Sequence, residues 1–129
     1  MAMTVKCDNL IEQKSYNFAI RIVNLYKYLI NSQKEFNLSK QILRSGTSVG
    51  ANVCEATRAQ SKNDFIAKMS IALKESYETD YWLRLLKDTS YITEEEFKSI
   101  YVDCQDISNI LAKILITSRS QQNSPEKEL

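Results

Sequence analysis

Glycine and proline are nearly absent: the 129 residues hold two glycines and one proline, against average usages of roughly 7% and 5%. A sheet protein of this length needs many turn residues to reverse its strands, so a strand-rich fold is excluded and the chain reads as all-α. Histidine is missing altogether, which removes the commonest general base and the commonest metal ligand. A histidine-dependent triad and the Glu-x-x-His ligand pair of di-iron bundles are excluded with it. Two glycines cannot build a phosphate loop or a dinucleotide fingerprint. What remains for catalysis is a carboxylate pair such as Glu75 and Glu78, an ordinary i, i+3 spacing on a helix surface. No enzymatic reaction, metal, cofactor or small-molecule substrate is therefore expected.

An excess of one charge is also lacking. Seventeen Lys and Arg face sixteen Asp and Glu, so no global field exists to capture nucleic acid or acidic membranes, and any such binding must be local. The distribution is uneven: residues 1–60 carry eight bases and four acids, whereas residues 90–129 carry four bases and seven acids. The three cysteines, Cys7, Cys54 and Cys104, are odd in number, far apart and free of a CxxC pair. Neither a disulfide framework nor a zinc site is indicated, and reduced cytoplasmic thiols are expected. No apolar run approaches the roughly 20 residues of a membrane span, and the first residues lack the apolar core of a signal peptide. The expectation is a soluble, cytoplasmic protein without a membrane partner.

What is present is helical periodicity. Ile11, Ser15, Phe18, Ile22, Leu25 and Leu29 recur in steps of four and three, which places them on one face of a first helix from about Leu10 to Asn31. Leu38, Ile42, Gly46, Val49, Val53 and Ala56 form a second stripe, with Ser39 expected near its N-cap. After the capping cluster Ser61 to Asp64, a third stripe runs through Phe65, Met69, Ala72, Ser76, Thr79, Leu83 and Leu86. Thr93 followed by Glu96 is the pattern of a capping box. It opens a fourth helix carrying Phe97, Ile100, Cys104, Ile107, Leu111 and Ile114. The period fades at Ser118, so residues 1–117 are expected to form the domain and residues 118–129 a polar, disordered tail. Short connections between long helices favour antiparallel neighbours, and the predicted architecture is an antiparallel up-and-down four-helix bundle.

Both glycines, Gly46 and Gly50, lie inside the second helix, where each costs about 1 kcal/mol relative to alanine. With Ser45, Thr47, Ser48 and Ala51 they make a run of small side chains that lets another helix approach closely, within the bundle or from another subunit; a ligand groove against the glycines is the alternative. On the same helix Arg44, Ser48, Asn52 and Glu55 align polar groups along one side. Glu75 and Glu78 of the third helix could meet Arg44 in a partly buried network completed by Asn52; a solvated charged face is the simpler alternative. Tyr77, Tyr81 and Trp82 cluster on the third helix, where rings stack on bases or, more often, fill an interface. Lys14, Arg21, Lys40, Arg44, Arg58, Lys62, Arg84 and Lys87 are candidates for a phosphate-contacting surface, although acids interleave with them.

The string SKQILRSGTSVGANVCEA, followed by SKNDFIAKMSIALKESYETDYWLRLL, resembles a bacterial four-helix bundle family encoded in open reading frames of 23S rRNA intervening sequences. The likeness spans about residues 10 to 117. It rests on Phe18, Gln41-x-x-Arg44, Ser48-x-x-x-Asn52-x-x-Glu55-Ala56, Phe65, and Lys74-Glu75-x-x-x-Thr79 to Trp82. The resemblance implies an up-and-down protomer and a ring-like homopentamer. The family is similar in turn to the accessory protein of diversity-generating retroelements, a basic pentameric barrel that associates with a reverse transcriptase and nucleic acid; the present chain is near neutral instead. A non-enzymatic homo-oligomer that binds RNA or a nucleoprotein partner is the expected function, with a protein-interaction or structural scaffold as the alternative.

Overall fold

The computed structural model describes residues 9–122, and these form four helices: α1 (Leu10–Asn31), α2 (Leu38–Thr57), α3 (Lys62–Asp88) and α4 (Glu94–Gln122). Consecutive helices run antiparallel and pack as neighbours, and the up-and-down bundle is closed by a lighter contact between α1 and α4. The predicted stripes are the core: Phe18, Ile22, Leu29, Ile42, Val49, Val53, Met69, Leu83, Leu86, Ile107 and Leu111 are all at most 2% exposed. At roughly 1.5–3 kcal/mol for each buried large aliphatic or aromatic side chain, these stripes supply the main force holding the helices together. Leu25, Leu38, Phe65 and Ile114 are only half-buried, on the edges of the same core.

Each helix starts on a side chain that satisfies amide groups left free by the first turn. Asn9 Oδ1 accepts from the Ile11 amide at 2.9 Å, and Ser61 Oγ accepts from Asp64 at 3.0 Å. The capping box is reciprocal: Glu96 N donates to Thr93 Oγ1 at 3.1 Å, and Thr93 N donates to Glu96 Oε1 at 2.8 Å. Helix α2 differs from the expectation. Ser39 lies inside its first turn, and the capping oxygens come from Glu35, whose carboxylate accepts from the amides of Asn37 (3.2 Å), Leu38 (2.9 Å) and Ser39 (2.7 Å). A buried anion suits this place because three donors and the positive end of the helix dipole surround it.

Neither glycine serves a turn. The left-handed backbone positions that glycine usually fills are taken by Lys34 (φ 54°) and Ser90 (φ 70°), in the α1–α2 and α3–α4 connections. A second departure concerns the end of the domain. Helix α4 continues through Gln122, and Ser118 is buried; Arg119 donates to Ser70 Oγ at 2.9 Å and Lys62 donates to Gln121 Oε1 at 3.2 Å. The expected tail is thus helical over residues 118–122, tied to α3 by polar contacts that an apolar period does not register. Its remainder, residues 123–129, and Cys7 lie outside the described residues.

Candidate functional site

The glycines act in the α1–α2 contact of the protomer itself. A Cβ on Gly46 would meet three side-chain atoms of Ile22 at 2.7–2.9 Å, and one on Gly50 would lie 3.1 Å from the Ser15 carbonyl oxygen. The small residues therefore let α1 approach α2 closely, and the helix-propensity cost of glycine is offset by that contact. No open groove remains against Gly46, which is buried. The same device continues with buried hydroxyls in place of glycine. Thr79 Oγ1 donates to Ser45 Oγ at 2.9 Å between α2 and α3, and the Ser76 and Ser108 hydroxyls pair at 2.8 Å between α3 and α4.

On the α2–α3 face, Arg44 spans two carboxylates one helical turn apart. Its Nη1 reaches Glu75 Oε1 at 3.2 Å and its Nη2 bonds Glu78. Trp82 Nε1 donates to the same Glu78 oxygen at 3.0 Å. That indole bond, with the guanidinium beside it, holds the Glu78 carboxyl below the usual carboxylate range, while the Glu78 bond raises the Arg44 guanidinium. The rest of the polar stripe turns elsewhere. Asn52 donates to its own helix at the Ser48 carbonyl (2.9 Å), and Glu55 pairs with Lys68 at 3.5 Å. With Arg44 49% exposed and Glu75 12% exposed, the carboxylates are sheltered and the guanidinium forms the outer rim.

The eight bases do not gather on one face. Arg21 clamps α1 to α4, donating to Asp103 Oδ2 (2.7 Å), Ser99 O (3.0 Å) and Ser99 Oγ (2.7 Å). Arg84 pairs with Asp80 at 2.8 Å, and Lys87 sits over the Phe97 ring at 4.6 Å. Arg58 caps the end of α2 through the Cys54 carbonyl at 3.1 Å. Lys40 and Arg58 are at opposite ends of α2, about 27 Å apart at 1.5 Å per residue, and Lys14 lies on the α1–α4 seam. One local grouping does form, where the α2–α3 turn and the end of α4 bring Arg58, Lys62 and Arg119 to the same end of the bundle.

Tyr77 and Tyr81 are 55% and 50% exposed, and Tyr81 meets Trp82 edge-on with ring centroids 5.0 Å apart. A second apolar row, which the core period did not reveal, lies on α1. Tyr16, Ile20, Val23 and Ile30 follow in steps of four, three and seven, on a side of the helix turned away from the core stripe. Tyr16 is 67% and Ile20 46% exposed, and Val23 and Ile30 are half-buried. Beside them, Leu43, Thr47 and Cys54 of α2 are only half-buried. The signal was present in the sequence as a second apolar period, which a search for a single stripe per helix passes over.

Among the described residues no three metal-ligating side chains form a group, and no helix is long and apolar enough to cross a membrane. Burial pushes the Cys104 thiol up to about 12, which keeps it protonated and unreactive in the core.

Architecture and sequence agree in pointing to one set of proteins. A solved structure of a protein of unknown function from the S23 ribosomal protein family, from Bacteroides thetaiotaomicron VPI-5482, is similar with a TM-score of 0.81 and 58% identity, over 82% of this chain and 98% of that one. No curated protein matches. The model of the 23S rRNA-intervening sequence protein family matches residues 8–113, a span that includes the glycine contact, the Arg44 cluster and both apolar stripes of α1. The chain belongs to the 23S rRNA-intervening sequence protein family.

Proposed function

We propose that this protein is a non-enzymatic module that works by assembling with copies of itself, and that the outer face of α1 is where it does so. The second apolar stripe carries the reading. A helix with one apolar face is complete once that face is buried in its bundle; α1 has a further row, Tyr16, Ile20, Val23 and Ile30, that its own protomer leaves wholly or partly open to water. Exposed apolar side chains grouped on a helix face mark interaction sites. A ring of five copies agrees with the implied family architecture, and the near-neutral charge of the chain sets no strong repulsion against it. Light scattering on the purified protein tests this: an oligomer is expected, Ile20→Asp should give a folded monomer, and a wild-type monomer at high concentration would refute the reading.

A second reading, RNA or nucleoprotein binding, is favoured by one observation: Arg58, Lys62 and Arg119 share an end of the bundle. Assembly would repeat that end in every copy and multiply a weak local charge into a basic rim. Binding to structured ribosomal RNA should then weaken steeply with salt, by counterion release. Salt-independent affinity, or no binding at low salt, would leave a protein scaffold as the function.

A further inference from the structure

We infer that the upper α1–α4 seam is a docking groove for a short basic amphipathic helix of a partner protein, a surface separate from the α1 assembly stripe. The seam is where the bundle is least closed, since α1 and α4 make the lightest contact of the four neighbouring pairs. Above the Arg21 clamp it opens into a groove of about 560 Å³. Its floor is apolar, made by Leu25 and Tyr28 of α1 with Ile92 and Ile100. From Arg21 to Tyr28 the groove extends about 10 Å along α1 at 1.5 Å per residue, room for two turns of helix. A valley between two antiparallel helices is the shape into which the ridge of a third helix sets, with apolar anchors spaced i, i+3 or i+4, and i+7.

The charge of the rim selects the partner. Glu95 and Glu96 line the groove, and neither forms an ion pair among the described residues. Glu96 retains its capping bond to the Thr93 amide, which uses one of its two oxygens. The one base in the lining, Arg21, is already committed to Asp103 and Ser99 and closes the lower end. Lys87 lies beyond Tyr28 and Ile92, over the Phe97 ring and outside the groove lining. Asn24 presents an exposed amide at the α1 edge. An apolar floor under unneutralised carboxylates fits Leu-like anchors flanked by Lys or Arg, and rejects an acidic helix by like-charge repulsion.

The test uses the full-length protein in its native assembly with three synthetic peptides of about 14 residues, long enough to sustain helix once docked. One has Leu at helical spacing with Lys between, the second has Glu in place of Lys, and the third is a scrambled Leu/Lys peptide. Methyl-labelled Leu and Ile report the site. The first peptide is expected to bind with salt-sensitive affinity and to shift the Leu25, Ile92 and Ile100 methyls while leaving Ile20 and Ile116 unmoved. Glu95→Lys should weaken it about fivefold or more, Asn24→Trp should block it by filling the groove, and Glu55→Lys on the far helix should leave it unchanged. Absence of binding, equal binding of the acidic or scrambled peptide, shifts centred on Ile20, or insensitivity to both groove variants would each overturn the proposal. Because the peptide arm is read separately from the oligomer size, its failure is distinguishable from failure of the assembly reading.

Discussion

A methyl group at position 46 would sit 2.7 Å from Cγ1 of Ile22, a side chain that is fully buried and branched at Cβ, so it has little freedom to move aside. Replacing a helical glycine by alanine normally gains about 1 kcal/mol, whereas overpacking a close contact costs about 1–3 kcal/mol. The packing term wins here, and Gly46→Ala is predicted to lower stability by about 1 kcal/mol in denaturant unfolding. In an Ile22→Ala background the same change should become stabilising, because the added methyl then enters the space left by Ile22. A loss of equal size in both backgrounds would mean that Gly46 serves something other than this contact. Glu78 makes a pH prediction at the same scale. Its folded pKa is lowered, first by the Trp82 indole bond and then by Arg44. Its contribution is therefore fully present above the ordinary glutamate value of about 4.3 and disappears as pH falls through the lower folded value. The wild type should lose more stability between about pH 5 and pH 3 than Glu78→Gln does, and parallel acid profiles for the two would show that the pair is solvated.

Among the elements, α4 is the one whose length the sequence understates. Truncation after Thr117 removes buried Ser118, the Arg119 bond to Ser70 and the Lys62 bond to Gln121. A loss of roughly 1–2 kcal/mol is expected from one buried residue and two exposed hydrogen bonds. In a chain of this size that lowers Tm by about 3–8 °C. The apolar stripes of all four helices were legible because burial imposes a 3.6-residue period that few other constraints disturb. Ser118 to Gln122 carries no such period, since its bonds to α3 are made by a guanidinium and side-chain amides. Glu35 escaped for a related reason: a capping carboxylate three residues before the helix looks like any loop acid until the backbone folds its amides around it. Arg44 could be matched to Glu75 and Glu78 from spacing alone. Asn52 and Glu55 share that spacing, and only the rotamers decide that they bond to their own backbone and to Lys68 instead.

For the whole molecule, the assembly proposed for the second stripe of α1 would couple folding to association. If Tyr16 and Ile20 are buried only between copies, the folded state is favoured by mass action, and thermal stability must rise with protein concentration. In a ring of five, each tenfold dilution removes about 1 kcal/mol per protomer by that linkage. For a domain of this size this corresponds to a fall in Tm of about 4 °C. Ile20→Asp places a charge in the middle of the stripe without touching the core, because Ile20 is 46% exposed in the protomer and its neighbour Ile22 is fully buried. That variant should keep its helix content, melt at a lower temperature than the wild type at high concentration, and show no dependence of Tm on dilution. The comparison separates two ways in which the outer stripe could be tolerated. Surface that is merely apolar leaves both proteins insensitive to dilution, whereas a subunit interface makes only the wild type sensitive to it.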